Sequence, residues 1–163
     1  MGFSPRTEAL LDRAGAICSD KGARLTAIRR QVLGLILDAP QPSGAYDLLD
    51  RLRGSHDNAA PPTVYRALDW LLELGLIHKL ERLSAFVGCI AHDDDAHADC
   101  EHAHAAQFLI CRGCGRVIEI EDHELAHALE HAARRVGFSV GKATIEAEGQ
   151  CSACATAANK ETV

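Results

Sequence analysis

No apolar run in this sequence is long enough to cross a bilayer. The start, Met1-Gly2-Phe3-Ser4-Pro5-Arg6, lacks the apolar stretch of a secretory leader. Both absences steer the expectation away from membranes and towards the cytoplasm. No internal repeat is visible, and no nucleophile motif of a hydrolase or transferase stands out. A basic excess is also missing: 17 Lys and Arg face 23 Asp and Glu, for a net charge of -6. Spread evenly, that balance would repel phosphates, but it is not spread evenly. Residues 1–84 carry 11 basic and 10 acidic side chains, whereas residues 85–163 carry 6 and 13. Any contact with nucleic acid therefore falls to the first half, through a few placed Arg and Lys side chains.

What the sequence does have is cysteine in a pattern. Cys111-Arg112-Gly113-Cys114 and Cys151-Ser152-Ala153-Cys154 are two C-x2-C pairs, 36 residues apart, in a chain of 163 residues with 7 cysteines. Two thiolates three positions apart on a tight turn grip one side of a tetrahedral ion, and a second pair completes a four-sulfur site. Arg112, Gly113 and the following Gly115 suit the first turn. The odd cysteine count and the paired spacing favour metal over disulfide, and hence a reducing compartment. With all four positions filled by protein, the site is expected to be structural, closed and without chemistry of its own. Two small domains would each bury a modest core, so such a staple would help at least one of them.

The first half reads as helices. Leu10, Leu11, Ala14, Ile17 and Cys18 recur at helical spacing, with Gly22 as a stop. Thr26 is an N-cap candidate for a second helix bearing Ile28, Val32, Leu35 and Ile36. Ser43 is a cap candidate for a third, with Ala45, Leu48, Leu49 and Leu52 inward. Pro61-Pro62 open a fourth, whose buried face is Val64, Ala67, Leu68, Leu71 and Leu72 and whose end is Gly75. Leu76–Glu81 and Ala85–Cys89 then read as a hairpin. Helices followed by a hairpin make a winged helix-turn-helix plan. Beyond a His- and Asp-rich stretch over 90–106, strands are expected at 107–110, 116–120 and 138–147. A helix is expected over 122–136 with Leu125, Leu129, Ala132 and Val136 on one face. The tail after Cys154 is expected to fray. The expected class is thus α+β: a winged-helix domain over 1–89, a hinge loop over 90–106, and a small zinc-stapled α/β domain over 107–163.

In such a plan the start of the second helix-turn-helix helix meets base edges and phosphates. Thr63, Tyr65 and Arg66 stand there, off the apolar face. Arg can fork onto guanine, and Tyr can bond a phosphate or pack on a thymine methyl. Arg24 and Tyr46, near the starts of neighbouring helices, are weaker candidates for backbone contact. The competing reading of all five is an ordinary solvated helix face.

The run Pro61-Pro62-Thr63-Val64-Tyr65-Arg66-Ala67-Leu68, the following Leu74-Gly75-Leu76-Ile77-His78-Lys79 and the double C-x2-C together resemble the ferric uptake regulator family. Ala45-Tyr46-Asp47-Leu48-Leu49-Asp50 and the Pro-Pro-Thr start are most like its zinc uptake regulator branch. The resemblance spans about residues 8–155. It implies a homodimeric, metal-sensing transcriptional repressor, with the C-terminal domain dimerising and the metal-loaded dimer gripping operator DNA. It also implies a regulatory metal site at the hinge, whose ligands here would be His78, Cys89, His104 and Glu119. The residues agree with that choice: His78 and Cys89 lie on the two wing strands, while His104 and Glu119 flank the first knuckle. A mixed N, S and O set suits zinc. Because the loop before Cys111 is long and rich in histidine, His97 or His102 are alternatives to His104.

Zinc is therefore the expected cofactor, two ions per chain. A third is conceivable in the loop, on His92, Asp93, His97, Cys100 and His102, although a polar insertion is the simpler reading. His123, His127 and His131 stack on one helix face but away from Leu125 and Leu129, and are expected to be solvated. The expected partners are operator duplex DNA and a second copy of the chain. Asp50 and Arg53 are exposed enough to be considered between dimers. An iron or peroxide sensor of the same family is the nearest competitor. Cys89 opposes it, and so does Gly141-Lys142-Ala143-Thr144-Ile145, which offers no histidine before the second knuckle. A zinc enzyme would need an open coordination position. A zinc-storage module would leave the helix-turn-helix pattern unexplained.

Overall fold

In the computed structural model, which describes residues 2–56, 59–89, 106–141 and 143–160, the chain separates into two units, Met1–Asp94 and Asp95–Val163. Helix α1 (Pro5–Asp20) starts where the Ser4 hydroxyl accepts the Thr7 N–H at 3.3 Å and Pro5 needs no partner for a missing N–H. Helix α2 spans Ala27–Leu37. Thr26 is its N-cap residue, but only the main chain closes the turn; the hydroxyl makes no capping bond. The two helices are tied at opposite ends, where the Thr7 hydroxyl donates to Asp38 at 2.8 Å.

A short strand, β1 (Ser43–Gly44), precedes α3 (Ala45–Arg53). The expectation that Ser43 caps α3 is corrected here. Gly44 is the N-cap residue, and Ser43 is buried in the sheet opposite Phe86. Helix α4 (Pro61–Glu73) carries both prolines in its first turn. Gly75 takes φ +71, a left-handed conformation, so that the Leu76 N–H can return to the Leu71 carbonyl at 3.0 Å. Strands β2 (Ile77–Leu80) and β3 (Ala85–Gly88) form the hairpin, and the sheet order is β1-β3-β2, all antiparallel. Four helices and a hairpin wing define a winged helix-turn-helix.

The core of this unit is continuous. Leu11, Val32, Leu33, Leu48, Leu52, Val64, Leu68 and Leu71 are all buried in one cluster. Each such side chain contributes about 1.5–3 kcal/mol on burial. The wing is packed as closely: a side chain at Gly88 would run into Leu37 of α2.

The second unit holds β4 (Ala106–Cys111), β5 (Val117–Ile120), α5 (His123–Arg135), β6 (Thr144–Gly149) and α6 (Ser152–Lys160). Strand β4 is central, antiparallel to β5 and parallel to β6. Asp122 caps α5 by accepting the Leu125 N–H at 2.9 Å. Three expectations change. None of the described residues of α5 is buried; Leu125 is 39% exposed and Val136 80%. The last strand begins at Thr144 rather than at Phe138, which is exposed. The stretch after Cys154 continues a helix, as alanine-rich sequence favours, rather than fraying at once.

Candidate metal centres and nucleic-acid interface

The four knuckle cysteines come together. Their sulfurs all lie within 4.8 Å of one another, and Cys114 Sγ to Cys151 Sγ is 3.8 Å. Zinc–sulfur bonds of about 2.3 Å set a tetrahedral edge of about 3.8 Å, so the donor set fits zinc. Local backbone builds it. Cys111 ends β4, and the Gly115 N–H closes the first turn onto the Cys111 carbonyl at 2.9 Å. Gly115 needs its φ of +72 to do so. Cys151 and Cys154 straddle the start of α6, where the Ala155 N–H returns to the Cys151 carbonyl. The Arg112 N–H reaches Gly149 at 2.9 Å, which locks the two knuckles in register.

The electrostatics agree with a cation site. Main-chain N–H groups of Cys151, Cys114 and Gly113 point at the Cys111 sulfur and pull its thiol down to about 6. Cys154, crowded by the thiols of Cys151, Cys111 and Cys114, is pushed up to about 12. Four packed thiolates repel one another, and a dication is what makes all four charges compatible. Gly113 is part of the cradle. A Cβ there would lie 2.8 Å from Cys154 Sγ, so any larger residue intrudes on the donor set. Sequence reasoning assigned Gly113 only to the turn; its approach to Cys154 depends on α6.

The wing positions a second group of ligand atoms. The Cys89 N–H bonds the Leu76 carbonyl at 3.0 Å, which extends the β2–β3 ladder by one pair. His78, two residues along β2, therefore shares a face with Cys89 across the hairpin. Its Nε2 lies 2.7 Å from Cys89 Sγ, and both are half-buried. Around a tetrahedral zinc the two would stand about 3.5 Å apart, so a small outward shift of the side chains brings both onto one ion. Glu119 is half-buried on β5, opposite Phe108. His104, His97, His102 and the loop residues His92, Asp93 and Cys100 lie outside the described residues. His123, His127 and His131 are exposed along α5.

The start of α4 presents Tyr65, 44% exposed, and Arg66, also exposed, with Thr63 half-buried beside them. Tyr46 at the start of α3 is 73% exposed, and Arg24 before α2 is exposed. Large aromatic side chains left on the surface at helix starts suit stacking or phosphate contact better than packing. Two residues outside that set also meet a residue of it: the Arg29 guanidinium carbon stands over the Trp70 ring, 3.9 Å from its centroid, and Arg29 donates to the Arg24 carbonyl at 3.0 Å.

A winged helix-turn-helix joined in one chain to an α/β unit with a four-thiolate centre defines a metalloprotein of the DNA-reading class. The family described as the ferric uptake regulator family matches residues 20–148, and the chain belongs to it. The zinc uptake regulation protein of Escherichia coli K12 is 39% identical over 148 residues, covering 91% of this chain and 82% of that protein. That of Mycobacterium tuberculosis H37Rv is 33% identical over 136 residues, covering 83% and 98%. Among solved structures, a zinc uptake regulator complexed with zinc and DNA superposes with a TM-score of 0.81 at 38% identity, covering 94% of this chain and 97% of that one. Holo XcZur does so with 0.76 at 42% identity, covering 91% and 98%.

Proposed function

We propose that this chain is a zinc-responsive transcriptional repressor that binds operator DNA as a metal-loaded homodimer and controls zinc-uptake genes in the cytoplasm. The observation that carries the zinc reading is the wing pair, His78 Nε2 at 2.7 Å from Cys89 Sγ. A thiolate in the sensing set favours zinc over iron or manganese. His104 and Glu119 would supply the remaining ligands, drawn from beyond the wing. Zinc, when bound, would supply the charge that lets the thiolates ionise. His78 must be neutral and Cys89 deprotonated to serve, so response weakens in acid.

In this reading, residues 1–89 grip DNA, 90–106 form the hinge and 107–163 dimerise. Exposed apolar side chains support dimerisation: Leu125 on α5 is 39% exposed and Val136 just after it 80%. Thr63, Tyr65 and Arg66 would read bases and phosphates, with Arg24 and Tyr46 on the backbone. With His104 as fourth ligand, both sets would be filled by protein and would leave no open position for catalysis. The relatives named for zinc uptake, and the related regulator solved with zinc and DNA, point the same way.

The test is selection of duplexes from a random library by the full chain, in zinc and in chelator. Retention in zinc alone is expected. Equal retention in both would end the sensor reading, and no retention in either would favour a zinc-storage module. Tyr65→Ala or Arg66→Ala should each cost about 1–3 kcal/mol of base discrimination while zinc content stays unchanged.

A further inference from the structure

Trp70 stands four residues beyond Arg66 on α4, one helical turn further along, on the flank that Thr63 shares. It is half-buried against the core, and the Arg29 guanidinium covers its outer face at 3.9 Å. Arg29 projects from the first turn of α2. One of its five N–H donors, on Nη1, goes to the Arg24 carbonyl at 3.0 Å. Neither neighbour is acidic, and among the described residues Arg29 makes no ion pair. Arg30, next in sequence, is placed differently, paired with Glu8 at 2.8 Å and Asp12 at 3.0 Å. The two adjacent arginines thus divide roles: Arg30 ties α2 to α1, while Arg29 reaches from the start of α2 to the Trp70 ring of α4.

We infer that Arg29 is a further DNA-backbone contact of this winged helix, and that Trp70 is its positioning residue. The inference rests on the DNA-binding reading above. A guanidinium lying on an aromatic face loses little further freedom when it meets a phosphate, and its remaining donors match phosphate oxygens. The bond to the Arg24 carbonyl fixes the chain just before α2, so Arg24 and Arg29 move as one. With Arg66, one turn before Trp70 on α4, they would give a chain of net charge -6 a local route to phosphates.

Binding of the full chain, in excess zinc, to sheared genomic duplex across a salt series tests this. Each phosphate contact contributes about 0.9 to the slope of log affinity against log salt. Arg29→Ala should lower the slope by about that amount, and Arg29→Lys should restore it. Trp70→Leu should weaken binding, Trp70→Phe should not, and Arg29→Ala should cost less on the Trp70→Leu background than on the wild type. An unchanged slope in a folded Arg29→Ala protein, or additive effects of the two changes, would overturn the inference. If Arg29→Ala does not fold, the Trp70→Leu and Trp70→Phe slopes decide: equal slopes overturn it. A wild-type chain that binds no duplex in zinc instead overturns the DNA-binding reading itself.

Discussion

The two units hold themselves together by different means. The first buries a continuous set of large side chains, from Leu11 on α1 to Phe86 on β3. The second, among its described residues, buries Ala106, Phe108, Ile110 and Cys111 on its central strand and nothing on α5. A small sheet beside an α5 that buries nothing offsets little of its conformational entropy by burial. Four cysteines at the ends of β4 and β6 would supply, around a metal ion, what the core lacks. Folding of the second unit is thus expected to depend on metal where folding of the first is not, while the wing pair of the first unit belongs to the response to metal.

That contrast can be broken most forcefully by removing the metal or one of its ligands. Structural zinc sites of this kind contribute about 10–16 kcal/mol of apparent binding free energy at neutral pH. Cys111→Ser, or exhaustive chelation, should abolish amide-exchange protection in β4–β6 and leave it in α1–α4. Loss of protection in both units together would dissolve the distinction. The converse change is Leu68→Ala, in the first core. It should cost about 2–5 kcal/mol in chemical unfolding of the first unit while elemental analysis shows unchanged zinc.

Gly113→Ala is subtler, since it keeps every ligand. Its Cβ would press on Cys154 Sγ, and disturbing the groups that orient a ligand typically costs about 10–100-fold in metal affinity, measured by competition with a calibrated chelator. The smallest expected effect is in the first unit. Hydrogen bonds from Thr7 and Ser4 hold the Asp38 carboxyl below its usual 3.8. A carboxyl lowered on folding stabilises above that usual value and loses its contribution as pH falls through the lowered one. Thermal melts of the first unit should therefore drop slightly in acid below pH 3.8, and Asp38→Asn should flatten that drop.

Much of this was legible in the sequence because the signals are local. Apolar spacing gives α1–α4, Pro61-Pro62 and Gly75 bound α4, and the C-x2-C pairs announce the sulfur set. What escaped depends on partners distant in the chain. Ser43 looks like a helix cap until Phe86 pairs with it and makes a strand of it. Leu125 and Val136 look like core because helical periodicity records amphipathicity, not what covers it. Gly113 looks like a mere turn residue until α6 brings Cys154 against it. Arg29 and Trp70 carry no mark in the sequence, since their stacking needs α2 and α4 docked. The His78 and Cys89 pairing was more accessible, because a tight hairpin fixes which residues share a face.

The bond from Arg112 to Gly149 shows that the sulfur centre is the end of the β4–β6 ladder rather than an attachment to it. That ladder joins Ala106 to Thr144 in parallel, a pairing between remote stretches of chain. Such pairings form slowly, because a long loop must close before any contact rewards it. A ligand set at the closing point shortens the search once an ion bridges it. Refolding rates of the reduced protein should therefore rise with zinc.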